Sequence, residues 1–259
     1  MNFFQAILFG AVEGITEFLP ISSTFHLIAI SKIIALQSTE FIKLFEVFIQ
    51  SGAVLAVIFL YFDQIIKDKK IIKLLLASFI PTAVIGFIFH KLIKNIIFEN
   101  FPLMLLASGL VGVIFIVIER LIATKHIKPK RNLNSLGIFD AILIGLFQAT
   151  AVIPGVSRSG ATVATMLVLG FTRPQAAIYS FFLAIPTIIG ASTLDIISYW
   201  PLVGQANNLI ILIVGFIASF ITASFGIRWL ISFLQKHSLL PFALYRIALS
   251  LILFFVFKT

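Results

Sequence analysis

The chain has 259 residues; 60% belong to the hydrophobic set, only 11% are charged, and mean hydropathy is +1.14. A soluble domain is about half apolar and a quarter charged, so this composition excludes an ordinary soluble fold and a disordered chain, and the absence of Cys excludes a disulfide scaffold, thiolate catalysis and Cys-ligated metals. In so apolar a chain the net charge of +9 reports loop topology and anionic lipid, not nucleic acid.

The first apolar run, about 1–31, has no basic head, carries Glu13 and Glu17, and is broken at Pro20. It reads as a re-entrant helical hairpin and not as a cleaved signal segment. Stretches long enough to cross roughly 30 Å of hydrocarbon follow at 46–62, 74–92 and 101–121. A second broken run, 136–171, reads as a second re-entrant hairpin, and further spans are expected at 175–199, 209–232 and 240–257. The predicted fold class is an all-α polytopic membrane protein: one membrane domain, 1–259, with six transmembrane helices and two re-entrant hairpins.

Charge sets the expected orientation. Lys67, Lys69, Lys70, Lys73, Arg120, Lys125, Lys128, Lys130, Arg131, Arg228 and Lys236 fall on one side, eleven of the 19 Lys and Arg. Lys32, Lys43, Lys91, Lys94 and Lys258 fall on the other. The positive-inside rule puts the first group in the cytoplasm and both termini outside.

The two broken runs resemble each other. Residues 7–26 read ILFGAVEGITEFLPISSTFH and residues 142–162 read ILIGLFQATAVIPGVSRSGAT. Gly10 aligns with Gly145 and Glu13 with Gln148; after a one-residue gap Pro20 meets Pro154 and Ser23 meets Ser157. The same offset carries the first three spans onto the last three, giving repeats at 1–122 and 136–257. Three spans per half invert the second half, so the hairpins enter from opposite faces and their tips meet near the midplane. That plan builds a site between broken helices.

Glu13 and Glu17 are four residues apart, so on a helix their carboxylates share a face. Ionisable groups at membrane depth are costly and point to function, although a pair of buried caps is the structural alternative. Ser22, Ser23 and Thr24 follow Pro20 as three hydroxyls, and His26 adds a group able to move protons near neutral pH. In the second hairpin, a breaker-rich turn opens a helix, where backbone N–H groups bind anions. Ser157, Ser159 and Thr162 add hydroxyls, and Arg158 adds a planar fork suited to phosphate oxygens. Arg246 is a second candidate anion contact. Two carboxylates would repel a phosphate unless a divalent cation sits between them, so Glu13 and Glu17 are the expected metal ligands, with Mg²⁺ favoured and Ca²⁺ the alternative. The set is equipment for phosphoryl transfer on an amphiphile with a phosphorylated head.

These motifs closely resemble the bacitracin-resistance family of undecaprenyl-diphosphate phosphatases, along the whole chain. The family's E-G-x-T-E-F-L-P-x-S-S-T-G-H stands here as EGITEFLPISSTFH, and P-G-x-S-R-S-G stands as PGVSRSG. QSGAVLAV, PTAVIGFIF, FFLAIPTIIGAS and PFALYRIALS are also similar to that family. The one departure is Phe25, where the family pattern has Gly. The resemblance implies hydrolysis of undecaprenyl diphosphate to the monophosphate and phosphate in the bacterial cytoplasmic (inner) membrane, recycling the carrier for peptidoglycan synthesis and conferring bacitracin resistance. It implies that Glu13 and Glu17 bind metal or act as base. Ser23 and His26 would supply hydroxyl and imidazole, and Ser157, Arg158, Ser159 and Thr162 would hold phosphate. The nucleophile is Ser23 or a water activated by the metal. A transporter or flippase for the polyprenyl phosphate is the rival reading, since inverted repeats suit transport. Whether the chain forms a homodimer stays open.

Overall fold

The computed structural model describes residues 1–92 and 100–257; Lys94 and Lys258, used above for orientation, and the side chain of Lys91 lie outside the described residues. Two short helices come first, α1 (Phe3–Thr16) and α2 (Ser23–Ile33), followed by three long ones: α3 (Glu40–Lys67), α4 (Lys69–Leu92) and α5 (Phe101–Ala123). The pattern recurs: short α6 (Ile138–Gln148) and α7 (Arg158–Val168), then α8 (Arg173–Ser198), the single turn α9 (Trp200–Val203), α10 (Ala206–Lys236) and α11 (Leu240–Phe257). Among the described residues, six helices are long and apolar enough to cross a membrane (α3, α4, α5, α8, α10 and α11), and each includes the whole or nearly the whole of an expected span. Their ends run beyond the apolar windows because polar residues can continue a helix into the interface; Thr39 caps α3 through the Ile42 N–H, well before the expected residue 46.

The helices end where the sequence supplies breakers and caps. Asn2 and Gln5 form a reciprocal capping box at the start of α1. Pro20 lies in the turn after it, and Gly170, at φ +87°, stops α7. The core is apolar, yet so is the outside: Phe87, Phe139, Phe225 and Phe255 are each more than two-thirds exposed. A surface of that kind requires lipid around it.

Small residues let the short helices press against the long ones. A Cβ at Gly10 would run into the carbonyl of Gly215 on α10, and one at Gly145 into the carbonyl of Ser78 on α4. Such backbone approach is how helices associate where lipid removes the hydrophobic driving force.

The basic loops gather at one end. Lys70 donates to the Asn134 carbonyl at 2.8 Å, Arg173 at the head of α8 pairs with Glu119 near the end of α5, and Glu119 also accepts the Leu239 N–H at 2.8 Å. Arg131 reaches Asp140 at the head of α6 and the Leu169 carbonyl behind α7, and its own N–H bonds the Gly170 carbonyl at 2.9 Å. The beginning of α6 and the end of α7 therefore lie together at the basic end. Lys32, at the end of α2, sits over the rings of Phe101 and Phe257, at the start of α5 and the end of α11.

Candidate active site

The turns between α1 and α2 and between α6 and α7 meet inside the protein. The Ser159 hydroxyl donates to the Leu19 carbonyl at 2.8 Å, joining residues 140 positions apart. Both turns end on a serine with unusual backbone: Ser22 caps α2 at φ +70° and Ser157 caps α7 at φ +77°. L residues rarely adopt that region, and the strain, of order 1–3 kcal/mol each, is typical of functional turns. This shared geometry pairs Ser22 with Ser157, whereas the sequence alignment pairs Ser23 with it. Backbone geometry and the sequence alignment therefore differ by one residue in the serine they set against Ser157. Gly155, at φ +96° and close against the Met104 carbonyl, has no room for a side chain.

At the junction three candidate residues come together. The Ser23 hydroxyl donates to Glu17 Oε2 at 2.6 Å. Arg158 donates to Glu17 Oε1 from Nη2 at 3.1 Å and from Nε at 3.4 Å, while its Nη1 bonds the Ser180 carbonyl at 2.8 Å. A guanidinium has five N–H donors, so Arg158 keeps donors for a further acceptor. Glu13 lies one turn before Glu17, whose N–H bonds the Glu13 carbonyl at 2.8 Å. The Glu13 side chain is fully buried, and among the described residues neither of its carboxyl oxygens has a hydrogen-bond partner. A buried carboxylate left this way is costly without a cation.

Other candidates are committed differently. His26 donates from Nδ1 to the Ser22 carbonyl at 2.7 Å, because a carbonyl can only accept. Nε2 of the neutral ring then accepts from the Tyr245 hydroxyl at 2.7 Å, with the two rings stacked in parallel. The imidazole is thus turned to α11, not hydrogen-bonded to Ser23 or Glu17. Ser159 spends its hydrogen on Leu19, so the 3.0 Å contact between Ser157 and Ser159 requires Ser157 to donate. Ser157 also accepts from the Gly160 N–H. Thr162, expected at the phosphate, instead donates to Gln148 Oε1 at 3.1 Å, within a network that continues to Thr82 and Thr187. Thr24 is half-buried on the first turn of α2. Arg246 departs from its expected role: it is fully buried, and four of its five N–H donors go to the main-chain carbonyls of Ser108, Pro20, Gly155 and Val156, which leaves one Nη1 donor in place of an open fork for a phosphate.

Sequence reasoning did not find Tyr245 or Ser180. Neither belongs to a motif; Tyr245 reaches His26 across 219 positions, and the only signal was a family-like stretch around it.

The chain matches the family model described as "Bacitracin resistance protein BacA" over residues 6–252. The chain belongs to the BacA family. It is 44% identical over 259 residues to a protein of Aquifex aeolicus named undecaprenyl-diphosphatase, covering 99% of this chain and 100% of that one. It is 43% identical to a protein of the same name from a Sulfurihydrogenibium species, with 97% and 98% of the two chains covered. It is 40% identical to another from Persephonella marina, at the same coverage. Phe25, the departure from the family's Gly, is buried within α2 and stacks on Phe101. The backbone there is helical, so no glycine geometry is required, and the ring packs with Ala29, Met104, Leu105 and Leu253, away from Glu17 and Ser23.

Proposed function

We propose that this BacA-family protein is an integral membrane phosphatase that hydrolyses undecaprenyl diphosphate to undecaprenyl phosphate and inorganic phosphate. This recycles the lipid carrier for peptidoglycan synthesis and confers bacitracin resistance. The names of the relatives support the substrate. The observation that carries the chemistry is the hydroxyl–carboxylate–guanidinium contact of Ser23, Glu17 and Arg158, brought together from both turns. A nucleophile hydrogen-bonded to a base, beside a fork for phosphate oxygens, is the arrangement phosphoryl transfer needs.

In the proposed reaction Ser23 Oγ attacks the terminal phosphorus and its proton passes to Glu17. The bond from that phosphorus to the bridging oxygen breaks, releasing undecaprenyl phosphate, and Arg158 holds the equatorial oxygens. Water then attacks the phosphoserine, giving inorganic phosphate and returning the proton to Ser23. The N–H groups at the starts of α2 and α7, with the Ser22 and Thr24 hydroxyls, orient the phosphates, while Ser157 and Ser159 hold the shape of the second turn. His26, held by Ser22 and Tyr245, relays protons at the edge of the site. Glu13 and Glu17 would hold a divalent cation: the orphaned Glu13 carboxylate fits one, and two carboxylates suit Mg²⁺, which completes its shell with water and phosphate oxygens. Such an ion neutralises charge on the phosphates.

The proposed architecture is one membrane domain of two inverted repeats, 1–122 and 136–257, in the bacterial inner membrane. The basic end faces the cytoplasm and both termini lie outside. The re-entrant reading of α6–α7 is supported by Arg131, which ties the entry of that hairpin to its exit. The inverted repeat is supported by the crossed packing of α1 on α10 and of α6 on α4.

Phosphate release from a polyprenyl diphosphate by purified protein tests the activity, with and without chelator. Release should stop with chelator and return with Mg²⁺. Quenched turnover should trap phosphoserine at Ser23, and Ser23→Ala should abolish both. Retained turnover in Ser23→Ala sinks the covalent route. No release from folded wild type overturns the phosphatase reading in favour of transport.

A further inference from the structure

Among the described residues Arg246 is the largest fully buried side chain, at 0% exposure, and no carboxylate pairs with it. An unpaired buried cation is costly unless its donors are satisfied. Its three nitrogens divide among three parts of the fold. Nε bonds the Ser108 carbonyl on α5 at 3.0 Å. Nη1 bonds Pro20 in the first turn at 2.9 Å. Nη2 bonds Gly155 and Val156 in the second turn, the latter at 3.1 Å. The carbonyls it holds lie within two residues before Ser22 and immediately before Ser157, the two caps in left-handed backbone. One rigid planar group thus fixes the peptides leading into both strained caps and the separation between them.

We propose that Arg246 is a positioning residue that locks the two turns in register, so that Ser23 and Glu17 from one face Arg158 from the other. It acts through fork geometry, not through charge on the substrate. The proposal rests on the phosphatase reading for its kinetic consequence but not for its structural one. A lysine keeps the charge but offers one ammonium that cannot serve carbonyls on three elements at once. Misplacement of reacting groups by about 1 Å costs about 100-fold in rate.

The test uses the full-length protein in detergent. Arg246→Lys should lower kcat about 100-fold with KM little changed, since groups that bind substrate remain. In Arg246→Ala, added methylguanidinium should restore turnover and methylammonium should not. Hydrogen exchange, which needs no activity, should accelerate in peptides covering both turns (17–23 and 153–159) in Arg246→Lys, with α10 unchanged. Wild-type kcat in Arg246→Lys, equal rescue by methylammonium, or loosening of only one turn or neither overturns the clamp. So does failure of Arg246→Lys to fold, because the guanidinium would then carry the whole fold. If the wild type hydrolyses no polyprenyl diphosphate while both turns loosen in Arg246→Lys, the activity assignment fails and the clamp stands.

Discussion

The Arg158–Glu17 pair joins the two halves of the site, and it allows structure and chemistry to be separated by mutation. The side chains are 11% and 8% exposed, so both charges are largely out of water. Arg158→Met fills similar space but strands Glu17 with only the Ser23 hydroxyl as donor. Removing one partner of a buried pair costs about 3–5 kcal/mol, mostly the burden of the charge left behind. Converting that charge to an amide should remove much of the burden, so Glu17→Gln/Arg158→Met is expected to melt well above Arg158→Met alone. Turnover should follow the opposite logic. Loss of a preorganised donor to the transferring phosphoryl group costs about 10²–10³ in kcat, and the double variant, which also lacks the base, should be slower still. The assays are thermal unfolding in detergent and phosphate release per folded molecule. Two results refute the reasoning: a double variant no more stable than Arg158→Met, or near-normal turnover in Arg158→Met.

Two further predictions follow from packing and from the histidine. Gly145→Ala should destabilise by about 1–3 kcal/mol, because its Cβ would meet the Ser78 carbonyl and Pro81 Cγ. Gly86→Ala, where nothing lies within 4 Å, should be neutral or slightly stabilising, and equal melting of the two would refute the close approach of α6 to α4. Tyr245→Phe removes the donor to His26 Nε2 while keeping the ring stack, so kcat should fall about 2–10-fold, the worth of one neutral hydrogen bond, with melting little changed; an unchanged kcat would show that this contact does not serve turnover.

The positions of the long helices were legible because hydropathy is a property of composition along one segment, needing no knowledge of neighbours. Glu13, Glu17, Ser23 and Arg158 stood out for the same reason: charge or clustered hydroxyls inside an apolar run are visible locally. What those groups touch was not legible. Arg246 looked like a phosphate ligand because a buried arginine suggests an anion, yet its donors went to carbonyls that irregular turns leave free, and only the fold shows where those lie. Thr162 sits in a phosphate-binding motif but faces Gln148, because helix α7 turns it towards α6. Ser23 looked like the counterpart of Ser157 because sequence similarity aligns serines, whereas the left-handed backbone falls at Ser22 and Ser157.

Under the proposed repeat, Glu13 and Gln148 occupy matching places, and their environments explain why one half brings the acid. Gln148 both donates and accepts, and Thr82, Thr187 and Thr162 satisfy it within the protein. Neither Glu13 carboxyl oxygen has a hydrogen-bond partner among the described residues. The second half supplies Arg158 instead, and α11 supplies Arg246. Of the ionisable groups gathered around the turns, Glu17 is matched within the protein by Arg158, at 3.1 Å. Arg246 gives its bonds to carbonyls, which leaves the fully buried Glu13 carboxyl group without a hydrogen-bond partner among the described residues. A diphosphate head would add negative charge to that site. Under the proposed function, a cation entering with it, or before it, would offset that charge in the low-dielectric interior, so the orphaned Glu13 carboxyl group supports the proposed divalent ion more strongly than the spacing of the two glutamates does.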